Sequence, residues 1–146
     1  MKIVVQRVSE ASVQVENEQI GKINHGLMLL VGVHKNDQRE QMQWLAEKLL
    51  KLRIFDDREG KMNHSVQDVK GDILVVPQFT LFGAYEQGNR PSFMDAAKPD
   101  KAKKLYNEMI QYFKKHSELT IENGRFGTLM DVQLHNDGPV TLVLEH

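Results

Sequence analysis

Apolar residues first gather in Ile3-Val4-Val5, within a stretch 2–8 that reads as a strand. From Ala11 to Ile23 they alternate, with Val13 and Val15 on one face before a polar Glu16-Asn17-Glu18, and this predicts a hairpin. Gly26 to Val33 is apolar on both faces, which suits a central strand covered on two sides. Met42, Leu45, Ala46, Leu49 and Leu50 then repeat at helical spacing, and Asp37 with Glu40 resembles a capping box ahead of them. Asp56 to Lys61 is a polar turn. Ile73 to Phe82 is a second apolar strand interrupted at Pro77-Gln78, where proline implies an edge, a bulge or a strand end.

Gly83 to Pro91 reads as a loop, and Pro99 suits the first position of a helix whose buried stripe is Ala102, Leu105, Tyr106, Met109, Ile110 and Phe113. Three closing strands are expected, at about 119–122, 130–134 and 140–145. No βαβ alternation is evident. The pattern predicts one α+β domain spanning 1–146, a mostly antiparallel, barrel-like sheet with two principal helices packed on it.

Composition narrows the chemistry. Without cysteine there is no disulfide, thiolate metal site or cysteine nucleophile. The longest apolar run, Leu27–Val33, is too short to span a membrane, so a soluble cytoplasmic protein without a membrane partner is expected. A net charge of −1 does not announce a nucleic-acid binder, and any such contact must be local. The local candidates are Lys98, Lys101, Lys103 and Lys104, continued by Lys114 and Lys115, with Arg90 just upstream, although lysines on a helix are commonly only its solvated face. The six histidines are scattered, no metal-ligand spacing or glycine-rich phosphate loop appears, and neither metal nor cofactor is expected.

Two segments carry more information. Thr80, in Pro77-Gln78-Phe79-Thr80-Leu81, follows a strand break that could display a hydroxyl, yet a threonine nucleophile needs a base and threonine is also an ordinary strand residue. The same break frees backbone amides and carbonyls, which could bind an oxyanion or an ammonium without an ionisable side chain. The second segment, Asn136-Asp137-Gly138-Pro139-Val140-Thr141, reads as a rigid turn, either a plain hairpin or a wall of bare backbone facing a ligand.

Together the two segments resemble the signatures of the D-aminoacyl-tRNA deacylase family. Gln6-Arg7-Val8, Leu52-Arg53-Ile54-Phe55, Gly60-Lys61-Met62-Asn63, Gly88-Asn89-Arg90-Pro91-Ser92-Phe93 and Gly124-Arg125-Phe126-Gly127 are similar to that family in the same order. The resemblance implies a homodimer in which Gln78–Thr80 of one subunit faces a cis Gly138-Pro139 turn of the other. The shared pocket would take the 3′ adenosine of D-aminoacyl-tRNA, or of glycyl-tRNA mischarged on alanine tRNA, hydrolyse the ester and exclude L-aminoacyl ends. It further implies that Gln78, Phe79 and Thr80 position the substrate and polarise its carbonyl through main-chain groups. The substrate's own 2′-hydroxyl would assist, with water as the final nucleophile.

Gly138 and Pro139 would form the stereochemical wall, Arg7 would brace it from beneath, Phe126 and Met130 would line the adenosine pocket, and Asn136 and Pro77 would belong to the same substrate-binding and chiral-selection set. Arg90, Lys98, Lys101 and Lys104 become phosphate contacts. Two positions depart from the family pattern, Pro77 where serine is usual and Leu129 where an acidic residue is usual. Pro77-Gln78 is also similar to the animal-type relative that removes L-alanine from threonine tRNA. A relaxed-chirality enzyme is therefore one alternative. A catalytically silent dimer binding RNA ends is another.

Overall fold

A computed structural model describes all 146 residues. Its main sheet has the order β2 (Glu18–Ile23), β1 (Lys2–Val15), β3 (Gly26–Gly32), β6 (Asp72–Pro77), β7 (Ile121–Asn123). Strand β8 (Asp131–Glu145) pairs with the other side of β1. A separate hairpin joins β4 (Phe55–Asp56) to β5 (Met62–His64), and the helices are α1 (Arg39–Lys51) and α2 (Pro99–His116). Strand β1 pairs antiparallel with β2, β3 and β8, whereas β3, β6 and β7 run parallel to one another. Parallel neighbours require a crossover, so β3–α1–β6 and β6–α2–β7 are βαβ units that the hydrophobic pattern does not reveal.

The sheet curls into a nearly closed barrel. Gly21 of β2 stands where a Cβ would be in ordinary contact with Leu74 of β6, at 3.4 Å, and with the Asn123 carbonyl of β7, at 3.5 Å, so the two edges of the sheet meet there. One sheet face buries Leu27, Leu29, Ile73 and Val75 against Leu45 and Leu49 of α1 and Leu105, Met109 and Phe113 of α2. The other face packs Val8, Val13, Ile23, Met28, Leu74 and Val76 on one another. That double burial explains the unbroken apolar run of β3. Each fully buried aliphatic or aromatic side chain here contributes about 1.5–3 kcal/mol.

Local departures from expectation have physical causes. The first helix is capped at Gln38, whose N–H donates to the Gln41 side chain at 2.9 Å, and not at Asp37. Asp37 is instead buried, accepting from the Met1 ammonium at 2.7 Å and the His34 N–H at 2.6 Å. The stretches 2–8 and 11–15 form one strand, because β8 runs along the full length of β1 and holds it together while its other partner changes from β3 to β2. The apolar strand from Ile73 stops at Pro77, and Phe79–Phe82 coils into one 3₁₀ turn. The expected turn at residues 136–139 is not a hairpin, since 131–145 is a single strand with a bulge inside it.

Candidate active site

The bulge is built by register. Gln6 pairs with Thr141 and Val8 with Asn136, so Arg7 alone opposes Asp137, Gly138, Pro139 and Val140. Gly138 has φ +121°, a region L side chains rarely adopt, and its bond to Pro139 is cis. Beneath it Arg7 is 5% exposed, donating from Nε to the Asp137 carbonyl at 3.1 Å and from Nη1 to the Ile54 carbonyl at 2.7 Å. Its charge is met by Asp56 and Asp137, each with a carboxylate oxygen at 3.3 Å. A Cβ on Gly138 would lie 3.1 Å from Arg7 Nη2 and 3.0 Å from a Val140 methyl, so the turn rests on the guanidinium with little clearance. Asn136, Gly138 and Pro139 are exposed on the outer side.

The second segment leaves β6 at Pro77. Gln78 N–H donates to the Val31 carbonyl at 2.8 Å, and its side-chain amide donates to the Thr80 hydroxyl. The first N–H groups of the 3₁₀ turn, those of Phe79 and Thr80, have no acceptor within it. Phe79 is 56% exposed, its ring set edge-on to Phe93 at 5.1 Å between centroids.

At the carboxyl ends of β3 and β6 lies a cleft of about 720 Å³, mostly apolar. It brings together Pro77, Gln78, Phe79, Phe126 and Met130 from the sequence-derived set, whereas Arg7, Thr80, Asn136, Gly138 and Pro139 do not line it. Phe93, Ala102 and Tyr106 were not assigned to a site from sequence. Phe93 closes the Gly88–Phe93 motif, and the other two were visible only as a buried helix stripe. The walls carry no carboxylate, histidine or lysine. Their one titratable group, the Tyr106 phenol, is pushed up by burial and stays a neutral donor, 2.8 Å from the Val75 carbonyl and 3.1 Å from that of Gly124.

Lys98 is exposed immediately before the cleft residue Pro99, and Lys104 is exposed farther along α2. Lys101 lies between them and donates to the Lys35 carbonyl at 2.7 Å. Arg90 is exposed on a loop closed by the Ala84–Ser92 bridge.

The D-Tyr-tRNA(Tyr) deacylase family model matches residues 4–145. The chain belongs to this deacylase family. It is 53% identical to the D-aminoacyl-tRNA deacylase of Chloroherpeton thalassium, covering 99% of this chain and 95% of that protein. It is 52% identical to the same-named protein of Halalkalibacterium halodurans, covering 99% of each. Among solved structures, the c-Myc DNA unwinding element binding protein superposes with a TM-score of 0.95 at 40% identity, covering 100% of this chain and 99% of that one. A probable eukaryotic D-amino acid tRNA deacylase shares the fold, with a TM-score of 0.83 at 18% identity over 98% and 97% of the two chains.

In this deacylase-family chain Pro77 and Leu129, the two positions that the resemblance sets apart, both line the cleft. Leu129 is 94% exposed at its lip, and the Pro77 ring packs on Gly124, where a Cβ would sit 3.3 Å from the proline Cδ.

Proposed function

We propose that the chain, acting as one domain over 1–146, hydrolyses the ester of D-aminoacyl-tRNA, and of glycyl-tRNA mischarged on alanine tRNA, in the cytoplasm. Water adds to the ester carbonyl, the bond to the 3′ oxygen breaks, and that oxygen leaves with a proton, releasing the free amino acid and tRNA. The observation that carries this reading is an apolar cleft with free amides at its edge and no general base in its walls. Such a site suits stabilisation of a developing oxyanion by Phe79 and Thr80 N–H groups, with the substrate's 2′-hydroxyl assisting. Gln78 orients the turn through its bond to Thr80. Phe126, Met130 and Pro77 hold the terminal adenosine.

Chiral selection belongs to Gly138 and Pro139, with Asn136 flanking them and Arg7 bracing them. Apolar pockets separate one methylene by only about 1–3 kcal/mol, whereas a fixed backbone wall makes the wrong enantiomer clash. Because this turn does not line the cleft of its own chain, the wall acts across a homodimer. In support, β8 is a 15-residue edge strand along which Leu142 and Val143 are exposed. Arg90, Lys98, Lys101 and Lys104 meet tRNA phosphates. No helix is long and apolar enough to cross a membrane.

The test is incubation of the purified protein with D-Tyr-tRNA, L-Tyr-tRNA and Gly-tRNA. Release from the D and glycyl substrates alone is the expected result. Comparable L and D rates would establish the relaxed-chirality alternative. The likeness to a DNA-element-binding protein favours a second reading, nucleic-acid binding without catalysis, and absence of release from all three substrates would decide for it.

A further inference from the structure

The junction of β6 and β7 has a missing rung. Along this parallel ladder Ile73 N–H donates to the Thr120 carbonyl at 2.9 Å, and Gly124 N–H donates to the Val75 carbonyl at 2.8 Å. The alternation requires the next bond to run from the N–H of residue 77 to the Gly124 carbonyl. Residue 77 is proline and has no N–H, and its Cδ lies 3.3 Å from where a Cβ on Gly124 would stand. Gly124 is buried, so its carbonyl needs another donor.

That donor comes from α2. Tyr106 is 2% exposed, and its hydroxyl lies 3.1 Å from the Gly124 carbonyl and 2.8 Å from the Val75 carbonyl, the acceptor of the last intact rung. The Asn123 side-chain amide adds a bond to the Gly124 carbonyl at 3.0 Å. The single phenol proton is thus shared between a carbonyl of β6 and the Gly124 carbonyl just beyond β7, holding the two strands together where the rung is missing. From these points the chain continues on one side into Gln78–Phe79 and on the other into Phe126–Met130, both of which line the cleft.

We infer that Tyr106 is a positioning residue that replaces the rung missing at Pro77 and so fixes the spacing between the substrate-holding walls of the cleft. The effect on deacylation rests on the proposed function; the effect on strand spacing does not.

The experiment is a double-mutant cycle, Tyr106→Phe in the Pro77 background and again with Pro77→Ser, which supplies a backbone N–H for Gly124. Two readouts are followed, kcat and KM for D-Tyr-tRNA, and amide hydrogen exchange of peptides covering 76–82 and 121–130. With Pro77 present, removal of the hydroxyl is expected to lower kcat/KM about three- to tenfold, the scale of one hydrogen bond. Exchange in both peptides should rise. With serine at 77 the same substitution should cost less than about twofold, because the rung is restored. Equal losses in both backgrounds, or exchange unchanged by Tyr106→Phe, would overturn the inference. If the wild-type protein releases nothing from D-Tyr-tRNA while the exchange cycle behaves as described, the functional reading falls and the positioning role of Tyr106 stands.

Discussion

Arg7 donates its Nε–H to the carbonyl of Asp137 at 3.1 Å, across 130 positions of sequence. The same guanidinium donates from Nη1 to the buried carbonyl of Ile54. Arg7→Ala therefore strands two carbonyls and removes a charge-assisted network. It should destabilise the fold by about 3 kcal/mol, read as a lower urea midpoint at unchanged slope. Arg7→Lys keeps the charge but not the planar fork, and should fall between wild type and alanine. An alanine variant as stable as wild type would show that the guanidinium does not hold the turn.

Gly138 offers a more local probe. With φ at +121° and Arg7 and Val140 within 3.1 Å of a new Cβ, Gly138→Ala is strained by both backbone and neighbours. A cost of about 1–3 kcal/mol is expected. If this backbone is the chiral wall, the ratio of D-Tyr-tRNA to L-Tyr-tRNA hydrolysis should fall in the variant. Deacylation assays on both substrates measure it, and an unchanged ratio would remove the turn from chiral selection.

Thr80 tests the mechanism. Its hydroxyl accepts from Gln78, and no carboxylate, histidine or lysine lines the adjoining cleft. Thr80→Val should keep activity within about fivefold, the scale of one hydrogen bond. Loss of a nucleophile would cost about 10⁴-fold or more. Single-turnover kinetics distinguish the two outcomes.

Lys98, which directly precedes the cleft residue Pro99, and Lys104 on α2 are both exposed. Replacing both with glutamine should weaken substrate binding and flatten the dependence of log KM on log salt by about 0.7 for each phosphate that is no longer neutralised. A salt slope equal to that of wild type would return these lysines to the role of a solvated helix face.

The hydrophobic pattern by itself determined which residues of the two helices and of β3 are buried. The stripes of α1 and α2, Pro99 opening the second helix, and the doubly covered β3 all follow from local periodicity, because each face of an element must meet apolar or aqueous surroundings. The motif residues were also legible, and the family comparison agrees with that resemblance.

Periodicity does not name partners, and the remaining features are pairings. Asn-Asp-Gly-Pro has the chemistry of a hairpin turn. It became a bulge in one strand only because β1 is continuous beneath it and Arg7 fills the gap. The two βαβ crossovers, and with them the cleft at the strand ends, depend on β3, β6 and β7 meeting in parallel. Tyr106 looked like one more core residue, and only that meeting placed its hydroxyl on the Gly124 carbonyl that Pro77 leaves without a rung. Register and crossover are set by packing the whole chain around its two cores, so no local window of sequence contains them.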